Sequence, residues 1–200
     1  MATVRPLQDP IELFKAQLAE AQGLPREQLP EPTAFALGTV GDDQQPSIRM
    51  LLLKDVDAEG FVFYTNLESR KAGELAKNRR AAMTFHWAPI ERQVRIEGRV
   101  SPVTPEEADA YFATRPRGSQ IGAWASRQSR PMSHMDDLNA RVAEYERKFA
   151  GQDVPRPPHW SGFRLLPHAI EFWTGKPNRL HERRLFSREG AGWTIQLLYP

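Results

Sequence analysis

The sequence predicts a mainly β protein: a closed or split barrel of Greek-key-like antiparallel strands, with a few helices packed outside it. Three observations carry this. Short runs rich in β-formers recur along the 200 residues, bounded by turn residues. The helical stretches are few, and several carry their own start signals. No stretch approaches the roughly 18 consecutive apolar residues of a membrane span.

Residues 1–8 read as a flexible arm, leaving 9–200 as a single domain. Asp9 and Pro10 suit an N-cap and first helical position, and Ile11, Phe14, Leu18 and Ala21 follow at helical spacing. After the proline-rich stretch 25–32 the pattern turns to strands. TAFALGTV (33–40), SIRMLLLK (47–54) and GFVFYT (60–65) are separated by GDDQQ and DAEG turns. Ser69 is placed to cap a short helix over 70–78. AAMTFHW (81–87) and RQVRIEGRV (92–100) are strands again. In the second, Val94, Ile96, Gly98 and Val100 share one face, and Gln93, Arg95, Glu97 and Arg99 the other. Thr104 and Glu107 form a capping box with Pro105 at the first helical position, so a helix runs over 105–114 and Pro116 ends it. A short helix is expected near Ser119. Ser133 to Asp136 opens a charged helix reaching about 149. VPRPPH (154–159) is an extended linker, and strands are expected at 161–166, 168–174, 183–188 and 193–198.

Composition narrows the chemistry. The 27 basic and 25 acidic residues nearly cancel, and the arginines are dispersed, so no nucleic-acid partner is expected. The absence of cysteine excludes disulfides and thiolate chemistry. The five histidines show no metal-ligand spacing, and no phosphate loop or zinc motif is present, so no metal is expected. Redox chemistry would therefore require an organic cofactor. The start MATVRPLQDP has no apolar signal core, and a soluble, cytoplasmic protein without a membrane partner is the expectation.

Two polar blocks bearing tryptophan, RPRGSQIGAWASRQS (115–129) and EFWTGKPNRLHER (171–183), suit a flat, anionic ligand: cations hold phosphate, and planar groups cover a ring. Arg70 and Lys71 lie at a helix start, where cations oppose the helix dipole unless an anion joins them; a solvated basic turn is the ordinary alternative. Tyr111, Arg115 and Ser119 recur every four residues and could converge on a second phosphate, or simply pack a helix and meet solvent. Arg49 and Lys54, five apart, point to opposite faces of a regular strand. Arg179 and His181 would point the same way on an extended segment, where they could hold and polarise a heteroaromatic ring; a loop histidine in an ordinary hydrogen bond is the alternative.

Taken in order, RMLLLK (49–54), GFVFYTNLESRKAGELAKN (60–78), ERQVRIEGRV (91–100), YFATRPRGSQIGAWASRQS (111–129), VPRPPHWSGFRL (154–165) and IEFWTGKPNRLHERR (170–184) resemble the pyridoxamine 5′-phosphate oxidase family over roughly residues 30 to 195. The resemblance implies an FMN-binding split barrel forming a homodimer with FMN at the interface. It implies that Arg49, Met50, Leu51, Leu52, Leu53, Lys54, Tyr64, Thr65, Arg70, Lys71 and Gln93 contact FMN. Gln128, Ser129, Trp173 and Arg183 would complete that site, some from the partner chain. Lys54, Tyr111, Arg115 and Ser119 would clamp the substrate phosphate. Arg179, Leu180 and His181 would lie on the substrate, with Arg179 and His181 catalytic. The implied reaction oxidises pyridoxamine or pyridoxine 5′-phosphate with dioxygen to pyridoxal 5′-phosphate and hydrogen peroxide. A non-catalytic binder of FMN or pyridoxal phosphate, or another split-barrel flavin reductase, are the alternatives. The arm has Arg5 but no tyrosine where many relatives have an Arg-x-x-Tyr lid, and the tail ends Leu197-Leu198-Tyr199-Pro200 where Arg-Leu-x-Pro is common.

Overall fold

A computed structural model describes residues 9–200; the arm over 1–8, with Arg5, lies outside the described residues. Nine strands and five α-helices are present among them. Helix α1 (Pro10–Gln22) begins as expected, the Asp9 carboxylate accepting from Ile11 N–H at 2.8 Å. Its Ile11, Phe14 and Ala21 are buried, and Phe14 packs on Phe61, Phe85 and Trp87 at the centre of the core.

Strands β1 (Ala34–Val40), β2 (Pro46–Leu52), β3 (Asp55–Asp57), β4 (Gly60–Asn66), β5 (Arg80–Trp87), β6 (Arg92–Pro102), β7 (Trp160–Thr174), β8 (Glu182–Glu189) and β9 (Gly192–Leu198) form one antiparallel sheet. Its main order is β2-β1-β5-β6-β7-β4-β3. Because β2 and β3 follow each other in sequence yet end opposite edges of that order, the sheet must curl. Lys54 N–H closes the gap, donating to the Val62 carbonyl at 2.9 Å. Strands β8 and β9 continue outward from the second half of β7. The alternation read in β6 holds: Val94, Ile96 and Val100 are buried, and Arg95, Glu97 and Arg99 exposed.

Two expectations change. The segment 47–54 is not one strand: β2 stops at Leu52, and the chain re-enters the sheet as β3, whose three residues are too few to show a period. The strands expected at 161–166 and 168–174 are one strand of 15 residues. Pro167, which argues for a break, pairs with Gly98 beside an irregularity in β6, so its missing N–H falls where the ladder is already interrupted.

The helices lie outside the barrel. Helix α2 (Arg70–Lys77) follows β4; α3 (Pro105–Thr114), α4 (Arg117–Ala125) and α5 (Met135–Lys148) lie between β6 and β7. The α3 capping box is formed in both directions, at 2.7 and 3.1 Å. Helix α5 starts at Met135 after His134, with Asp137 accepting from the His134 N–H at 3.3 Å. A second core of Phe112, Ile121, Phe149, Val154 and Trp160 holds these helices to the start of β7.

Candidate active site

A cleft of about 350 Å³ opens between β4, the start of β7 and helices α3 and α4. Leu51, Lys54, Tyr64, Thr65, Tyr111, Arg115, Ser119 and Gln128 line it, all named from the sequence. Tyr64 points away from the barrel core, and its strand partner is Gly162. A Cβ on that glycine would stand 2.7 Å from the Tyr64 ring, so only glycine leaves the ring its place. The ring lies parallel to Trp160 (interplanar 1°, centroids 5.2 Å) and to Tyr111 (12°, 4.2 Å). The Lys54 ammonium stands 5.9 Å from the Tyr111 ring centre. Helix α3 ends at Thr114, and Arg115 is extended (φ −71°, ψ 144°), as a residue before proline should be. Helix α4 then starts at Arg117 and brings Ser119 to the same cleft, so the spacing of four survives a broken helix.

The Arg115 guanidinium stacks 4.8 Å from the Trp160 ring centre and 5.5 Å from that of Phe112. Its Nη1 is buried without a hydrogen-bond partner, and it has no ion pair among the described residues. Burial lowers its pKa, though a guanidinium stays charged at neutral pH. A desolvated cation without a counter-charge is costly, which suits a site built for an anion.

Lys71, on the first turn of α2, is a second such cation. It is only 6% exposed, and its ammonium donates to Thr65 Oγ1 (3.0 Å), Gln128 Oε1 (3.1 Å) and Ser69 Oγ (3.2 Å). These are all neutral acceptors. Burial, with the Arg49 charge nearby, lowers its pKa to about 8. The Ser69 hydroxyl therefore accepts from Lys71 and does not cap the helix as its position suggests. Arg70 does not stand as an uncompensated cation at the helix start: its Nε donates to Glu74 Oε1 at 2.8 Å, one turn on. Arg49 lies on the barrel-inward face of β2, its Nη groups donating to the Leu37 carbonyl, Thr39, Ser47 and Glu74. Lys71, buried, and Arg115, half-buried with its Nη1 enclosed, hydrogen-bond to or stack on neutral groups only, and would fit a cofactor phosphate and a substrate phosphate.

The remaining predicted residues do not line the cleft. Met50 and Leu52 point outward from β2, and Leu53 is buried. Ser129 follows Gln128 with φ 70°. Gln93, Trp173 and Arg183 stand directly opposite one another across β6, β7 and β8, on the face away from the core. Arg183 Nε donates to the buried Glu171 at 2.8 Å. The Trp173 and His181 rings lie 4.6 Å apart, and His181 Nδ1 accepts from Lys176 N–H at 3.2 Å. The neutral imidazole thus carries its proton on Nε2. Arg179 is not on an extended segment: Pro177–Arg179 is a 3-10 turn with φ 58° at Asn178 and 60° at Arg179, so strand alternation does not set the relation of Arg179 to His181. The turn leaves Arg179 and Leu180 exposed.

Nothing in the sequence singles out Trp160, Asn66, Gly122, Ala123 or Ser126, which also line the cleft. A tryptophan opening an apolar strand reads as core.

Fold and site define a split barrel with two cation-bearing corners that suit anions. Two family models match the chain: one described as pyridoxamine 5′-phosphate oxidase over residues 25–149, and one described as the pyridoxine 5′-phosphate oxidase C-terminal dimerisation region over 160–200. The pyridoxine/pyridoxamine 5′-phosphate oxidase of Myxococcus xanthus (strain DK1622) is 59% identical over 170 residues, covering 85% of this chain and 82% of that protein. The enzyme of the same name from Sphingopyxis alaskensis is 54% identical over 198 residues, covering 99% and 90%. Among solved structures, PhzG from Burkholderia lata 383 in complex with tetrahydrophenazine-1-carboxylic acid superposes with a TM-score of 0.90 at 33% identity, covering 98% of this chain and 94% of that one. The chain belongs to the pyridoxamine 5′-phosphate oxidase family.

Proposed function

We propose that residues 9–200 act as one domain in a cytoplasmic homodimer. With FMN as cofactor, it oxidises C4′ of pyridoxamine or pyridoxine 5′-phosphate to the aldehyde of pyridoxal 5′-phosphate. Dioxygen is reduced to hydrogen peroxide, and the amine substrate also releases ammonia. The observation that carries this reading is the pair of cations without an ion pair among the described residues, Lys71, which is buried, and Arg115, which is half-buried with its Nη1 enclosed. When bound, FMN supplies a two-electron acceptor that dioxygen can reoxidise. Lys71, with Arg70, holds the cofactor phosphate, and Arg115, Ser119, Tyr111 and Lys54 hold that of the substrate. Trp160 keeps the Arg115 guanidinium flat and shields it from water. Arg179 orients the substrate and stabilises charge developing on it, and His181 offers a hydrogen-bonding Nε2. Anaerobic addition of pyridoxamine 5′-phosphate should bleach the flavin absorbance, and air should restore it with release of peroxide. Bound flavin that never bleaches would make the protein a carrier.

Arg115→Ala should raise the Michaelis constant for the phosphorylated substrate by roughly a hundredfold, because a charge-assisted contact is lost. FMN affinity should stay within about twofold, a split that fluorescence titration and steady-state kinetics can read. Loss of FMN with unchanged substrate affinity would exchange the two anion sites.

Gln93, Trp173 and Arg183 lie outside the cleft, and we assign them to the site completed by the partner chain. Ile48 and Met50, 74% and 64% exposed on the outward face of β2, provide an apolar surface for that contact. Ile48→Asp should therefore halve the mass seen by light scattering and release FMN together. A monomer that retains FMN would contradict a shared site.

A further inference from the structure

We infer that Glu74 is a positioning residue for the cofactor phosphate, fixing the arginines of that corner without touching the ligand. The inference rests on the reading of this corner as a phosphate site. Glu74 is 8% exposed and lies on α2, one turn after Arg70. Its Oε1 accepts from Arg70 Nε at 2.8 Å. Its Oε2 accepts from Thr39 Oγ1 at 2.5 Å, Ser47 Oγ at 2.7 Å and Arg49 Nη2 at 3.2 Å. One carboxylate thus joins β1, β2 and the start of α2. The β1–β2 register places Thr39 opposite Ser47 and Leu37 opposite Arg49, so the donors from the two strands arrive together.

Three features separate this arrangement from an ordinary surface pair. The carboxylate is surrounded by donors alone, and although burial pushes its pKa up, the bonds from Thr39, Ser47 and Arg70 and the Arg49 charge hold it at about 2. It therefore stays ionised wherever the protein works. Because Glu74 takes Nε of Arg70, the two Nη groups of that side chain remain for a ligand. Charge also balances: Arg49, Arg70 and Lys71 against Glu74 leave two positive charges, matching the roughly −2 of a phosphate monoester. Without Glu74 the corner would be more positive but its arginines untethered, so charge and geometry make opposite predictions.

Glu74→Gln decides between them. The amide keeps the shape, but its NH₂ group must face donors on one side, either Arg70 or the Thr39–Ser47–Arg49 group, so one tether breaks. If positioning dominates, apoprotein affinity for FMN should fall by roughly tenfold to a hundredfold despite the added positive charge. Affinity for riboflavin, which lacks the phosphate, should be unchanged. Glu74→Asp serves as the second variant: it keeps the charge, but it is one methylene too short to reach both sides, and it should also lose affinity for FMN relative to riboflavin. Both affinities are read by flavin fluorescence in the dimeric apoprotein, with thermal melting to confirm folding. Equal or tighter FMN binding in Glu74→Gln, or equal losses of both ligands in the two variants, would overturn the inference. Wild-type protein that does not prefer FMN over riboflavin would instead overturn the phosphate reading of the corner.

Discussion

Arg179→Ala should slow flavin reduction in an anaerobic single turnover by roughly a hundredfold to a thousandfold, leaving the fold, the dimer and the flavin spectrum intact. The structural ground is local. Asn178 and Arg179 both have positive φ, near 60°, where arginine is disfavoured by on the order of 1–3 kcal/mol. Such a conformation persists only where the surroundings impose it. Here Pro177 opens the turn and the Lys176 N–H bond to His181 pins its far side. The guanidinium is presented outward with no ion pair among the described residues. Alanine at this position removes the cation and keeps the chain direction. Stopped-flow absorbance gives the rate. Reduction at wild-type speed would make Arg179 a loop arginine and return weight to a carrier. His181→Ala should be milder, since one hydrogen bond is lost.

The second large effect concerns Lys71. A protonated Lys71 is the form that holds phosphate, and burial has moved its pKa down to about 8. FMN affinity of the apoprotein should therefore be flat below about pH 7 and fall above pH 8, by at most about tenfold per pH unit. Lys71→Met should bind FMN at least a hundredfold more weakly at pH 7 and lose the pH dependence. The sign for stability is opposite. Between about 8 and the ordinary lysine value of 10.5 the unfolded chain holds this proton and the folded apoprotein does not. The contribution of Lys71 to apoprotein stability thus rises with pH through that window. Isothermal titration with FMN across pH 6 to 10 tests the first statement, and denaturant unfolding of the apoprotein over the same range tests the second. A pH-independent affinity in the wild type would remove Lys71 from the phosphate contact.

Where the sequence was legible, a local rule coincided with a tertiary requirement. The period-two pattern of β6 and the capping box of α3 needed no knowledge of partners. Strand β3 was invisible because three residues show no period, and the unity of β7 was hidden because Pro167 obeys its usual rule everywhere except beside a ladder already interrupted. In the site, the Tyr111–Arg115–Ser119 spacing led to the cleft although the helix that motivated it breaks at Pro116. The resemblance named half of the other lining residues. Trp160 was missed because an aromatic on an apolar strand carries no polar signal. Glu74 was missed because an acid four residues after Arg70 looks like a solvated helix pair. Its burial comes from Thr39 and Ser47, which are distant in sequence. Pro177-Asn178 signals a turn, but that the turn runs on through Arg179 is hidden, because positive φ at arginine leaves no trace in composition.

Strand β7 bears on how the molecule can be divided. The two matched regions meet across the linker at 150–159, which invites a cut there. Yet β7 pairs with β6 along most of its length and with β4 over its first half. An amino-terminal fragment would keep an open slot one strand wide in its barrel wall. The carboxy-terminal fragment would be a three-stranded ribbon without a core. Neither is a module, and the two would be expected to regain structure only by recombining, with β7 re-entering the slot. The linker is thus a natural seam for a split-protein reporter whose signal is the return of yellow colour.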